Sequence, residues 1–299
     1  MNKINLYDIG LSERFIQEAT MYGNNLFLAR VSAQHKDMYK VITENGEIPA
    51  EVSGKLSFAA SSAADYPAVG DWVMIDRVDS KSGNAIIHHI LTRKSCLERK
   101  AAGTGYESQI IAANIDTVFI CMSLNNDYNL RRIERYLSIA WESMATPVIV
   151  LTKADLCDDI NTKLMEIKSI ALGVDVVVTS SMSSDGYTDI LKYLQKGKTN
   201  AFIGSSGVGK STLINKLMGK EVLITKEIRA DDDKGRHTTT HRQLLVFPGG
   251  GVVLDTPGMR ELQLASADLS KSFADIQALA EKCHFRDCQH ESKPKCAVK

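Results

Sequence analysis

Four short stretches of this sequence hold residue types that do recognisable chemistry. Gly204-Ser205-Ser206-Gly207-Val208-Gly209-Lys210-Ser211, followed by Thr212, fits the pattern G-x-x-x-x-G-K-[ST]. Glycines at this spacing let backbone N–H groups close around a β-phosphate at a helix N-terminus, where the macrodipole favours anions. Lys210 is placed to reach the β- and γ-phosphates, and the Ser211 hydroxyl to bind Mg²⁺. Further on, Asp255-Thr256-Pro257-Gly258 follows an apolar run. Asp255 there would hold Mg²⁺ through water, and the Gly258 N–H would meet a γ-phosphate. The third stretch is Thr152-Lys153-Ala154-Asp155, also at the end of an apolar run. Its carboxylate can accept from guanine N1–H and the exocyclic amine while the Lys153 stem packs on the base. Two charge-assisted hydrogen bonds at about 1.5–3 kcal/mol each favour guanine over adenine by roughly a hundredfold or more. The fourth is Cys283, Cys288, His290 and Cys296. Three thiolates and an imidazole make a closed tetrahedral shell of the kind that holds a structural Zn²⁺, with His284 as a second candidate imidazole.

The order of the motifs is unusual. In most GTPases the phosphate loop precedes the base-reading tetrad, whereas here Thr152–Asp155 comes first. That order implies a GTP-binding domain whose chain is circularly permuted, with modules attached at its new ends. Ser180-Ser181, just past Val176-Val177-Val178, are placed to offer a backbone N–H to guanine O6. Between the phosphate loop and Asp255, the polar run Asp231–Thr240 is where a nucleotide-dependent switch belongs, with Thr239 completing the Mg²⁺ shell. Met259 follows Gly258 where a water-orienting glutamine would be expected, so intrinsic hydrolysis should be slow, about 10⁻⁴ to 10⁻² per second. His237 is the candidate to position the water; its other reading is an ordinary loop histidine.

These motifs need elements to present them. From Leu26 to Glu98 five short alternating runs, with Asn45-Gly46 as a hairpin signal, predict a small closed barrel of the OB type. Such a barrel binds single-stranded nucleic acid or serves as a docking module, and Arg93, Lys94, Arg99 and Lys100 just after it are either a solvated linker or a phosphate contact. From residue 112, apolar strands alternate with helices, indicating a mostly parallel sheet covered on both faces. Leu130, Ile133, Leu137 and Trp141 fall at helical spacing and predict a core-facing stripe.

Bulk properties set outer bounds. The 299 residues suffice for two or three domains, and 36 Lys plus Arg balance 36 Asp plus Glu, so charge as a whole does not advertise nucleic acid. Met1–Gly10 lacks the apolar core of a secretory signal, and no apolar run is long enough to span a membrane, so a cytoplasmic protein is expected. A reducing compartment and three clustered thiols argue for metal rather than disulfides at the C-terminus.

Together the motifs resemble the bacterial circularly permuted, ribosome-small-subunit-dependent GTPase A family. The resemblance covers nearly the whole chain and rests on Pro67-Ala68-Val69-Gly70-Asp71-Trp72, Ala112-Ala113-Asn114-Ile115-Asp116, Asn129-Leu130-Arg131-Arg132, Thr152–Asp155, Gly204–Thr212, His237-Thr238-Thr239-Thr240 and Cys283 through Cys296. It implies a multidomain α/β protein. The expected parts are an N-terminal segment 1–22, an OB barrel 23–100, a linker 101–111, a permuted GTPase domain 112–265 and a zinc-binding domain 266–299. Similar proteins continue well past the last zinc ligand, so that domain is expected to be truncated here. The resemblance further implies a late-acting assembly factor of the small (30S) subunit that contacts 16S rRNA, cycles between GTP and GDP, and is stimulated by the subunit. A monomer is expected, with His237 assisting hydrolysis. Two other readings stay open: an RNA-binding adaptor using GTP mainly as a switch ligand, and an ATPase using the same phosphate loop.

Overall fold

The strand β1 (Phe27–His35) belongs to two structures at once, and this organises the chain. In a computed structural model, which describes residues 3–35, 38–100, 108–180, 183, 186–223, 242–255, 283 and 296–297, residues 1–263 form one unit and 264–299 a second. Upstream of β1, a 3₁₀ turn (Leu6–Ile9) and α1 (Glu13–Ala19) lie against the barrel, with the Phe15 ring 5.9 Å from that of Trp72.

The barrel closes as expected. β1 pairs with β2 (Met38–Thr43), β2 with β3 (Gly46–Val52), β3 in parallel with β5 (Ala85–Ile90), β5 with β4 (Trp72–Ile75), and β4 back with β1. This 1-2-3-5-4 closure leaves no free edge. Side chains alternating inward (Ala29, Val31, Val41, Ile48, Ala50, Val73, Ile75, Ala85 and Ile87) fill the interior. The short α2 (Gly54–Ala59) links β3 to β4, and its start is capped by the Ser53 hydroxyl accepting from Leu56 N–H. The tight turn is one residue earlier than Asn45-Gly46 suggested: Glu44 and Asn45 form it and Gly46 opens β3.

Beyond a register shift between Val31 and Ala33, β1 stays paired with β2 on one edge, while on the other edge β4 gives way to β12 (Arg242–Val246) of the second module. The result is one continuous sheet in which the nucleotide-type half runs β10-β9-β8-β11-β13-β12. Its strands are β8 (Thr117–Ser123), β9 (Thr146–Thr152), β10 (Asp175–Val178), β11 (Thr199–Ile203) and β13 (Val252–Asp255), all parallel, with β12 antiparallel at the junction. On one face Phe119, Cys121, Val150 and Phe202 pack with Val208, Leu213 and Leu217, beneath α5 (Thr188–Leu191) and α6 (Lys210–Met218). Residues of alternate parity on β8 face α3 (Leu130–Glu142), and α4 (Ile160–Ile170) follows β9.

Helix α3 corrects one expectation. Its buried face is Ile133, Tyr136, Leu137 and Ala140, while Trp141 is 41% exposed. At 100° per residue a 130-133-137-141 series drifts round the helix, and Trp141 ends on the flank of the face centred near Ile133 and Ala140.

The expected linker is structured where it is described. β6 (Cys96–Lys100) and β7 (Ser108–Ala113) form a separate antiparallel ribbon. Neither reading of the first two basic residues holds. Arg93 donates to both carboxylate oxygens of the fully buried Asp71 and to the Ala64 and Tyr66 carbonyls, and Lys94 pairs with Asp116 at 2.8 Å. Burial pushes the Asp71 carboxyl up, against the opposing pull of Arg93. Arg30, also fully buried, donates from Nη1 to Ile9 O, from Nε to Gly70 O (3.2 Å) and from Nη2 to Thr199 Oγ1 (2.9 Å). It therefore joins the N-terminal segment, the barrel and the first residue of β11.

Candidate nucleotide site

The parallel strands all end at one edge, and the residues singled out for chemistry follow those ends, where doubly wound sheets bind ligands. β11 runs into Gly204. Its φ is +146°, and a Cβ built there would lie 2.5 Å from the carbonyl oxygen of Cys121 in the neighbouring β8. Only glycine fits so close to a buried strand. Ser206 and Gly207 form the exposed tip of the loop, and Val208 turns inward into the apolar cluster. Gly209, at φ +102°, is the residue before α6, so Lys210, Ser211 and Thr212 form that helix's first turn. The helix stops at Gly219, whose left-handed φ of +66° lets its N–H reach the Lys216 carbonyl. Lys210 Nζ arches back over the loop and donates to the carbonyls of Gly204 and Ser205, both at 2.7 Å.

The tetrad at the end of β9 touches this loop directly. Thr152, buried, donates its hydroxyl to the Val208 carbonyl at 2.5 Å. Read from sequence as part of the base-reading group, Thr152 is in the structure the bolt between tetrad and phosphate loop. Lys153 follows in the left-handed region (φ 56°, ψ 41°), a conformation that costs a non-glycine residue on the order of 1 kcal/mol and is typical of functional loops. Asp155 is exposed, with one carboxylate oxygen accepting from Ser180 Oγ at 2.5 Å. The Ala154 N–H donates to the Thr179 carbonyl, fixing the tetrad to the chain leaving β10. The backbone N–H of Ser180 is committed to the Gly186 carbonyl at 3.1 Å. Ser180 therefore orients Asp155 instead of presenting its own amide to guanine O6; Ser181, its expected companion, lies outside the described residues.

One part of the site was missed from sequence. Arg132, in the first turn of α3, donates from Nη1 to Asp127 Oδ2 (2.8 Å) and Ser205 Oγ (3.3 Å), and Ser205 Oγ in turn donates to Asp127 Oδ2 (3.0 Å). The Arg132 guanidinium, aided by the Ser205 hydroxyl, holds the Asp127 carboxyl below its usual range against partial burial. In the sequence Arg132 stood only as the last residue of the motif Asn129-Leu130-Arg131-Arg132, with no role assigned to it. Nothing in local spacing signals a partner seventy-three positions away.

Asp255 closes β13, next to β11 in the sheet, so its backbone sits beside the start of the phosphate loop. His237, Thr239 and Gly258 lie outside the described residues. Cys121, beneath the loop, is fully buried and its thiol is pushed up to about 12 by burial. It is a packing residue with no thiolate to offer.

In the C-terminal unit, Cys283 and Cys296 come together: the two Sγ atoms are 3.9 Å apart and the Ala297 N–H donates to Cys283 Sγ at 3.4 Å. Zn–S bonds of about 2.3 Å in a tetrahedron put sulfur pairs roughly 3.8 Å apart, so the spacing suits two ligands of one Zn²⁺. Cys288 and His290 lie outside the described residues.

Comparison with known proteins agrees with this geometry. The model of the RsgA GTPase family matches residues 90–265. The small ribosomal subunit biogenesis GTPase RsgA 2 of Lactiplantibacillus plantarum is 52% identical over 99% of this chain and 83% of its own length. RsgA 1 of Oceanobacillus iheyensis is 44% identical over 99% of this chain and 85% of its own. Among solved structures, YjeQ from Thermotoga maritima superposes with a TM-score of 0.65 at 28% identity, covering 91% of this chain and 90% of that one. YloQ, described as a circularly permuted GTPase, gives 0.61 at 26% identity, covering 91% and 86%. The strand order and the sequence likeness lead to one conclusion: this chain is a GTPase of the RsgA GTPase family.

Proposed function

We propose that this GTPase acts in the late assembly of the small ribosomal subunit, that the subunit stimulates its hydrolysis of GTP, and that the nucleotide state times its release. The hydrogen bond from Thr152 to the Val208 carbonyl carries the nucleotide half of the reading, because it ties the base-reading stretch and the phosphate loop into one crevice. Within it Asp155, oriented by Ser180, accepts from guanine, and the Lys153 stem covers the base. Backbone N–H groups of Gly204–Lys210 and the ammonium of Lys210 surround the phosphates. Ser211, Thr239 and Asp255 would hold Mg²⁺, which when bound with GTP neutralises charge on the β- and γ-phosphate oxygens. The Gly258 N–H meets the γ-phosphate, and His237 holds the attacking water. The names carried by the relatives point to the small subunit. The proposed contact there is 16S rRNA, and the proposed place of action is the cytoplasm. Among the described residues no helix is long and apolar enough to cross a membrane. The protein is proposed to act as a monomer.

Single-turnover and steady-state GTP hydrolysis with and without purified 30S particles tests the reading. Stimulation of at least about tenfold is expected, and up to about a thousandfold or more if the subunit supplies or orders a transition-state group. An unchanged rate with full-length, GTP-binding protein removes the ribosomal part. His237→Ala should abolish the stimulated rate while leaving GDP affinity in place. If it leaves turnover untouched, His237 is an ordinary loop residue and the adaptor reading gains.

The C-terminal unit is proposed to be a zinc clip of Cys283, Cys288, His290 and Cys296, holding a segment with little core of its own. Metal analysis should find one zinc per chain. Cys296→Ser should lower zinc content and 30S binding while leaving GDP binding by the other unit unchanged. A zinc-free, fully 30S-competent protein would contradict the assignment.

A further inference from the structure

We infer that Arg132 and Asp127 form a clamp on the flank of the phosphate loop, and that Arg132 is a positioning residue for nucleotide binding. The inference rests on the nucleotide reading above and deepens it. Three observations carry it. First, the contact is specific: Arg132 Nη1 reaches Ser205 Oγ at 3.3 Å and Asp127 Oδ2 at 2.8 Å, and Ser205 Oγ donates to the same carboxylate oxygen at 3.0 Å. Ser205 is thus held from two sides.

Second, Ser205 lies where the loop needs holding. Its carbonyl is one of the two that receive Lys210 Nζ, and its neighbour Gly204 is packed against Cys121. The far side of the loop is already fixed by Thr152 on Val208. The exposed tip, Ser206-Gly207, therefore hangs between two anchors, one from β9 and one from α3. A loop whose N–H groups must converge on a phosphate pays less ordering entropy on binding when both ends are held beforehand.

Third, the clamp is itself supported. Arg132's own N–H donates to the Asn129 side chain that caps α3, so the guanidinium rises from a fixed turn. Its side chain is only 22% exposed, so it is less screened than a surface arginine. The charge of Lys153 also acts on Asp127, which places the clamp in the same electrostatic neighbourhood as the base-reading tetrad.

The test measures affinities of a fluorescent GDP and a fluorescent non-hydrolysable GTP analogue for the full chain, wild type and variants, together with 30S-stimulated kinetics and melting temperature. Arg132→Ala should weaken both nucleotides about tenfold, the scale of one charge-assisted contact. KM should rise by a similar factor while kcat at saturation is kept, as for an interaction equal in ground and transition states. Arg132→Lys should recover part of the loss. Ser205→Ala should give a smaller loss, and Arg132→Ala with Ser205→Ala together should fall short of the sum, because both act through one contact. The preference for guanine over adenine should be unchanged. Wild-type affinities in Arg132→Ala, or strictly additive losses, would overturn the clamp. A lower melting temperature with unchanged affinity would make it structural only. Failure of the wild-type chain to bind GDP would instead overturn the nucleotide reading.

Discussion

Gly204→Ala is expected to weaken GDP and GTP by at least about a hundredfold, because the new methyl group has nowhere to go. At φ +146° the backbone sits in a region that only glycine enters freely, and the added Cβ would lie 2.5 Å from Cys121 O and 3.2 Å from Cys121 Cβ. Cys121 cannot retreat: β8 is fully buried and paired on both sides, with β9 and β11. The phosphate loop must move instead, and with it the two carbonyls that hold Lys210 Nζ. Gly207→Ala is the informative control. Its φ is also positive, but a Cβ there meets nothing within 4 Å, so only the conformational cost of about 1 kcal/mol remains. Titration of fluorescent GDP into both variants checks the pair. Equal affinities would mean that close packing against β8 does not shape the loop.

Arg30→Met is expected to destabilise the unit formed by residues 1–263 by about 2–6 kcal/mol, because two buried acceptors lose their donor at about 1–3 kcal/mol each. The Gly70 carbonyl keeps a bond from Asn114 Nδ2, but Ile9 O and Thr199 Oγ1 lose their donor. Burial lowers the Arg30 guanidinium to about 10, opposed by the charges of Asp116 and Asp71; it therefore remains cationic at neutral pH. At about 2–4 °C per kcal/mol for a unit of this size, the melting temperature should fall by roughly 10 °C. Thermal unfolding followed by circular dichroism measures this. A fall of less than about 2 °C would show that the barrel and the nucleotide half are joined chiefly by β1–β12 pairing and apolar packing.

The legible part of this molecule was what short stretches encode by themselves. Gly204, Gly209 and Lys210 state a backbone path and a charge within a few residues, and apolar runs before Asp155 and Asp255 place those residues at or just past strand ends. Alternation with turn signals was enough to count the five barrel strands. What stayed hidden depends on pairs far apart in sequence. Arg93 and Lys94 read as basic residues after a barrel, since neither Asp71 nor Asp116 is near enough to reveal a partner. β12 was not read as a strand, because its role is to bridge two modules through β1, a partner far away in sequence. Thr152 was credited with the base, although its hydroxyl serves the loop, and Ser180 was credited with an amide that Gly186 already occupies. For Thr152 and Ser180 the residue's importance was visible and its partner was not.

The central claim, that Asp155 and the phosphate loop grip one guanine nucleotide, is tested most directly by competing GDP, ADP and xanthosine diphosphate against fluorescent GDP on wild-type and Asp155→Asn protein. Wild type should prefer GDP over ADP by about a hundredfold or more. Asp155→Asn should lose most of that preference and gain affinity for xanthosine diphosphate, whose C2 carbonyl accepts from the new carboxamide. An unchanged ratio of GDP to ADP binding in Asp155→Asn, with the phosphate loop intact, would contradict the account.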